Sequence, residues 1–445
     1  MSDPIIVPTF LSLLGVFDGC FTRPSLWTFR HLISGWILCV GAHTTTGVIT
    51  AAGAVGDKHH TSFHRFFRQT KWDPDEVGIA LLRLLLRLQP GTEPLVLAID
   101  DTLARHTGKR IASAGMHRDP LLSTATKTFF HFGHVWVVLA LVVRVPSWNK
   151  SFALPVLVRL YRPKKVCTAM QIPHRKKTDL ALDLIVKLRA AVIDRDLIIV
   201  GDNAFANRKV LGGLPQKTIF VGRGLMNAAV YQRPWARRPG ERGRARVRGN
   251  RLPTPQQRAE NPRAKWTPVE VEIYGKKASV KVLVFNALWQ KRGKGIFLRF
   301  VVIRDWPGHD KDDVLICNDT TKSPQWVIET YCQRWSLQVT FHWCKAKLGL
   351  EQPQNRTEKA ILRTAPMALW SYSLVVYWYL KVGHRLRASV FPVRPWYTSK
   401  KAPAFSDMLA TLRRQTWRQR INDRARTNAA IEKSLQPLLK AVGYV

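Results

Sequence analysis

Read as one helix, the segment from Tyr331 to Lys347 sets Tyr331, Arg334, Gln338 and Lys345 on a single face, because offsets of 3, 7 and 14 residues fall within an arc of roughly 60° at 3.6 residues per turn. A helix that faces a core needs an apolar stripe there. This one carries a phenol, a guanidinium, an amide and an ammonium in the spacing Y-x2-R-x3-Q-x6-K, which marks a site rather than a core. Any fold for the chain must bring that face against partners able to use those groups.

Two apolar runs supply such partners. Pro94 to Ile99 leads into Asp100-Asp101-Thr102, and Leu197 to Val200 leads into Gly201-Asp202-Asn203. Each reads as a buried strand delivering a carboxylate at its C-terminal end. Between them, strands are expected at Phe129 to Arg144 and Ser151 to Tyr161, then a helix from Thr178 to Asp194 bearing Leu180, Leu184, Ile185 and Leu188. Taken singly, an acid at a strand end is an ordinary terminator or helix cap. Two of them beside a polar helix face fit phosphodiester cleavage, which uses two Mg2+ ions about 3.5–4 Å apart, held by carboxylates from separate segments. Asp101 and Asp202 are the natural pair, and Mn2+ can substitute for Mg2+.

Charge narrows the partner. Lys plus Arg total 70 against 30 acidic residues, a formal charge of +40, which points to nucleic acid before a membrane surface or a ribosome. The six cysteines contain no C-x-x-C pair, which argues against a zinc ribbon or a disulfide framework and suits a reducing compartment. The pairs His131/His134 and His342/Cys344 lack partners at a zinc spacing and read as packing residues. Asp3 and Pro4 stand where a signal peptide would be basic, and the apolar runs Val135 to Val143 and Ala365 to Leu380 fall short of the ~20 residues that span a bilayer. No membrane partner is expected.

A chain of 445 residues, 46% hydrophobic, has room for several domains. The expected division is a helical DNA-binding domain over 1–90, an α/β core over 91–223, a mostly β insertion over 224–304, the second part of the core with the polar helix over 305–385, and a basic helical region over 386–445. In the first, the helix Lys58 to Gln69 interleaves Phe63, Phe66 and Phe67 with Arg65 and Arg68, and reads either as a recognition helix or as a basic surface helix. The insertion opens with ten arginines between Arg233 and Arg263, among them Arg237, Arg238, Arg244, Arg246 and Arg248, with almost no aliphatic residues. It reads as a flexible phosphate grip. Trp235, Trp266 and Trp289 are candidates for stacking an extruded base, although any one of them is more readily a packing residue, Trp289 inside the insertion above all.

The motif spacing resembles the Y-x2-R-x3-E-x6-K signature of bacterial cut-and-paste DDE transposases, and the meander, helix and strand order resembles their RNase H-like core. The resemblance covers Leu95 to Gln354 apart from the insertion. It implies a transposase that binds terminal inverted repeats in double-stranded DNA, cleaves the element ends with two metal ions, and transfers the freed strand as a homodimer on DNA. It favours Asp101, with Asp100 as the fallback, and Asp202 as metal ligands, and places Tyr331, Arg334 and Lys345 on end phosphates. It also implies a cytoplasmic, nucleoid-associated protein of a prokaryote.

One letter departs from the signature: Gln338 stands at the third metal-binding position. Its amide oxygen can coordinate a metal but carries no charge and accepts no proton. Glu329 lies on the opposite face and Glu351 past the break at Gly349, so neither restores the pattern. A deliberately inactivated variant, a decayed or domesticated copy, and a lineage with another third ligand all fit. The functional alternatives are a catalytically silent DNA-binding protein and a structure-selective nuclease.

Overall fold

The computed structural model describes residues 3–108, 110–119, 122–124, 126–235, 246–289, 295–386 and 400–424. Five helices open the chain: α1 (Pro8–Leu11), α2 (Arg23–Leu38), α3 (Thr45–Ala51), α4 (His60–Arg68) and α5 (Pro74–Leu85). The Asp73 side chain accepts from the Asp75 amide at 2.9 Å and Pro74 fills the first turn, so local chemistry starts α5.

A mixed sheet follows. Its strands are β1 (Leu95–Arg105), β2 (Gly115–Arg118), β3 (Phe130–Val145), β4 (Lys150–Tyr161), β5 (Leu197–Gly201), β6 (Thr218–Arg223), β7 (Val230–Tyr231), β8 (Arg251–Leu252), β9 (Thr267–Ile273), β10 (Lys276–Trp289), β11 (Phe297–Arg304) and β12 (Asp313–Cys317). The helices α6 (Lys164–Ala169), α7 (Lys177–Ala191), α8 (Arg208–Gly212) and α9 (Pro255–Ala259) lie between strands. The last four, α10 (Pro324–Cys332), α11 (Trp335–Lys347), α12 (Glu358–Lys381) and α13 (Phe405–Arg424), come after the sheet.

The sheet runs β2-β3-β1-β5-β6-β12-β11-β10-β7-β8, with β4 on β3 and β9 on β10. β1, β5 and β6 are parallel neighbours and the remaining pairs antiparallel. The strands expected to form an insertion are hydrogen-bonded into this same sheet through β12 on β6. At Leu139/Ala140 the β3–β4 register slips by one residue, and Pro155, which has no N–H to give, sits at that bulge. Its carbonyl accepts from Ser373 Oγ at 2.9 Å and that of Val156 from Trp370 Nε1 at 3.1 Å, so the irregularity is what holds α12. A Cβ on Gly78 would meet the Val156 carbonyl at 2.3 Å, so only glycine lets α5 approach the same bulge.

Two sequence expectations change. Tyr331 to Lys347 is two helices, α10 and α11, because Arg334 N and Ser336 N bond to the carbonyls three residues back, Tyr331 and Gln333, in a tight turn. Asp100-Asp101-Thr102 lies inside β1 rather than at its end. The parallel ladder with β5 stops at Ile99↔Gly201, whereas the antiparallel ladder with β3 continues to Arg105↔Gly133.

Candidate active site beside the end of β5

Where β5 stops, Asp202 leaves the sheet next to Asp100, which β1 carries past it. Successive strand residues point to opposite faces, and the two β1 acids divide accordingly. Asp100 turns toward α10 and α11, is 7% exposed, and accepts from Arg334 Nη1 at 2.7 Å and from the Asp101 amide at 2.9 Å. Asp101 turns the other way and pairs with Lys177 Nζ of α7 at 2.7 Å.

Burial pushes the Asp100 carboxyl up to about 7; Arg334 opposes that rise, while Asp202 and Asp101 add to it. Burial works against the charge of Arg334 too, but Tyr331, Asp100 and Asp202 outweigh it and hold the guanidinium above its ordinary range. The Asp100 and Asp202 carboxylates thus repel one another's charge while Arg334 feels both.

The polar stripe reaches β1 along its length. Arg334 lies 5.5 Å from the Tyr331 ring centroid. Gln338 Nε2 stands 3.5 Å from Asp100 Oδ2, and a half-turn of the amide would present its oxygen there instead. Lys345 Nζ donates to the Leu103 carbonyl at 2.6 Å and lies 3.5 Å from Glu351. Asp202 Oδ1 accepts from the Ala204 amide at 2.8 Å, which fixes the turn after β5. Arg334, Gln338, Asp100 and Asp202 therefore form one cluster, and Tyr331 closes its side, buried against Trp306 at 6.2 Å.

Other expected site residues lie elsewhere. Trp289 is 1% exposed and packs on Phe300 with ring centroids 6.1 Å apart, which removes it as a platform for an extruded base. Arg65 and Arg68 are exposed on α4 while Phe63, Phe66 and Phe67 are buried beneath them. Arg237, Arg238 and Arg244 lie outside the described residues. Arg246 and Arg248 are exposed, stacked on Trp235 and Tyr231. His134 bonds the Ala112 carbonyl at 2.9 Å and Cys344 is buried.

The sequence reading missed Arg223 and Asp313. Arg223 Nε donates to Asp313 Oδ1 at 2.9 Å and its Nη2 lies 2.8 Å from Oδ2, on the helix-covered face and close enough to influence Tyr331. The available signal was an acid ahead of the apolar run Val314 to Cys317, the mirror image of the acids that follow β1 and β5.

Among the described residues no group of three or more His, Cys, Asp or Glu is placed to hold a metal ion. The cluster nonetheless fits a hard divalent cation. Its donors are oxygens of Asp100 and Asp202, their mutual repulsion calls for positive charge, and the amide of Gln338 is the third group at the same point.

A protein-family model described as DDE superfamily endonuclease matches residues 16–279, more than half of the 445-residue chain, and the chain belongs to that family. The mixed α/β architecture with its large mixed sheet fits a DDE nuclease. The matched segment contains Asp100 and Asp202 and ends before Gln338. No curated protein matches the chain. No described helix is long and apolar enough to cross a membrane.

Proposed function

We propose that this chain is a DNA transposase of the DDE type with an RNase H-like core, and that Asp100, rather than Asp101, is its first metal ligand, with Asp202 the second and Gln338 at the third position. The observation that carries the reading is the convergence of Arg334 and Gln338, from the polar stripe, on Asp100 beside Asp202. The order β4-β3-β1-β5-β6, with β1, β5 and β6 parallel, is the sheet expected of such a core.

Mg2+ or Mn2+ held by these groups would supply the charge over the phosphate and the deprotonated nucleophile. The chain's own residues do the rest. Arg334 neutralises Asp100 until DNA arrives and offers its remaining N–H groups to a phosphate. Lys345, 2.6 Å from the Leu103 carbonyl, holds α11 on β1 and adds charge at the far end of the stripe. Gln338 keeps the shape of a glutamate without its charge, so metal affinity falls. The substrate is double-stranded DNA with the element's terminal repeats, acted on by a homodimer. Arg65 and Arg68 on α4 are further DNA contacts.

A second reading, a DNA-binding protein that no longer cuts, draws support from Gln338 and from the Arg334–Asp100 ion pair. The test is nicking of a supercoiled plasmid in Mg2+ or Mn2+, with Mn2+ affinity measured in parallel. Gln338→Glu is expected to raise both by at least about a hundredfold. If neither protein nicks while both shift duplex DNA equally, the silent reading replaces the transposase.

A further inference from the structure

The β-rich end of the sheet carries a second feature, remote from the carboxylates. Arg233 lies 4.1 Å over the ring of Phe297, Arg248 4.5 Å over Tyr231, and Arg246 4.3 Å over Trp235, which is 48% exposed. Register fixes the face, because directly opposed residues of an antiparallel ladder share one. Val221 opposes Cys317, Cys317 opposes Arg299, Phe297 precedes Arg299 by two residues on the same strand and opposes Leu288, and Leu288 opposes Tyr231. Val221 and Cys317 pack under α10. Phe297 and Tyr231 therefore lie on the face that also presents Asp100 to α11. Beyond α10 this face is open, with Val284 38% exposed and Asn286 exposed on β10.

Two other stacks show what a structural arginine looks like here. Arg304 on Trp266 is neutralised by Asp312 at 2.6 Å, and Arg258 on Phe285 donates to the Pro253 carbonyl at 3.2 Å. Among the described residues, by contrast, no carboxylate lies within ion-pair distance of Arg233, Arg246 or Arg248. Three like charges are held flat with no carboxylate among the described residues to neutralise them.

We propose that Arg233, Arg246 and Arg248, each clamped on its ring, form a preorganised contact for the phosphodiester backbone of duplex DNA, resting on the reading that the chain acts on DNA. A stacked guanidinium has one face covered and its rotamers restricted, so its N–H edges point outward with little ordering left to do on binding. The arginines already cover ring faces that a base would use, so the contact is to phosphates and neutral to sequence. β7 stands five strand positions from β5, on the order of 24 Å at ~4.8 Å per strand, so DNA is gripped roughly seven base pairs from the carboxylates.

The experiment uses the full chain in EDTA with a labelled duplex of arbitrary sequence, and reads the slope of log affinity against log salt. The triple variant Arg233→Gln, Arg246→Gln, Arg248→Gln is expected to make the slope shallower by about 2.7, three phosphates at ~0.9 each. The triple Arg→Lys variant keeps the slope and binds more weakly, and both melt with the parent. An unchanged slope in the Gln variant overturns the proposal, as does a loss confined to one DNA sequence, or a loss of binding to poly-glutamate with duplex binding intact. Failure of the underlying reading looks different: the parent chain then binds no duplex at all, whereas restored nicking by Gln338→Glu with an unchanged slope sinks the backbone contact alone.

Discussion

Adjacent strand residues face opposite ways, so Asp100 and Asp101 have separate roles. Asp100 sits where burial and Asp202 both disfavour its charge, which a divalent cation would reverse; Asp101 is partly exposed and already paired with Lys177. In a Gln338→Glu background, Asp100→Asn is expected to abolish Mn2+ binding. Asp101→Asn keeps that binding and costs about 1 kcal/mol or less, the worth of a part-exposed pair. Calorimetric titration with Mn2+ and urea unfolding read the two effects, and loss of Mn2+ affinity in Asp101→Asn with binding kept in Asp100→Asn would mean that the assignment is reversed. The sequence brought the acids and the polar stripe into view through apolar runs and helical spacing. It could not choose between the two aspartates, because that depends on which helix packs on which face. Nor does a tryptophan's letter reveal burial: Trp289 closes a core because Phe300 lies beside it, across a ladder of distant residues.

At the scale of elements, apolar periodicity made β1, β3, β4, β5 and α7 legible, while pairing was not. The strands of the expected insertion join the core sheet through β11 on β12, and β12 in turn pairs with β6 some ninety residues earlier, as in Leu315↔Arg223, which no local pattern encodes. Long-range capping is equally hidden. Arg363, buried in α12, donates to the carbonyls of Phe66, Phe67, Thr70 and Trp72 around the end of α4, where helix carbonyls lack partners and the dipole favours a cation. Arg413 of α13 does the same for α2, reaching Ile37 O at 2.8 Å and Cys39 O at 2.7 Å. Each unsatisfied buried carbonyl costs about 1–3 kcal/mol, so Arg363→Met is expected to destabilise the chain by about 3 kcal/mol or more. The midpoint of urea unfolding checks this; a shift worth under about 1 kcal/mol would show that water replaces the guanidinium.

These ties make the ends of the chain one body with the sheet: a single hydrophobic cluster runs from Ile6 to Leu412, and Trp36 Nε1 of α2 donates to the Leu348 carbonyl just past α11 at 2.9 Å. Acid should act on that body through two buried histidines near the start of β3. Burial is the first cause in both, lowering His117 and His134 to about 4; Lys177 adds to it at His117, and His106, His117 and Arg162 at His134, while bonds to Gly133 and Ala112 oppose it. Each is neutral in the fold below the pH at which the unfolded chain takes up its proton. Their contribution is therefore complete above about pH 6.5 and is lost as pH falls toward about 4. Asp100, raised to about 7, has the opposite sign and gains stability across the whole of that window. Two histidines outweigh one carboxyl, so the parent is expected to lose on the order of 2 kcal/mol between pH 7 and pH 4.5. His134→Gln, which can keep a donor for the Ala112 carbonyl at 2.9 Å, removes one titration and leaves His117 and Asp100 nearly cancelling, so the curve should become almost flat. Melting temperatures across that range decide it, and parallel curves for parent and variant would place the acid sensitivity elsewhere.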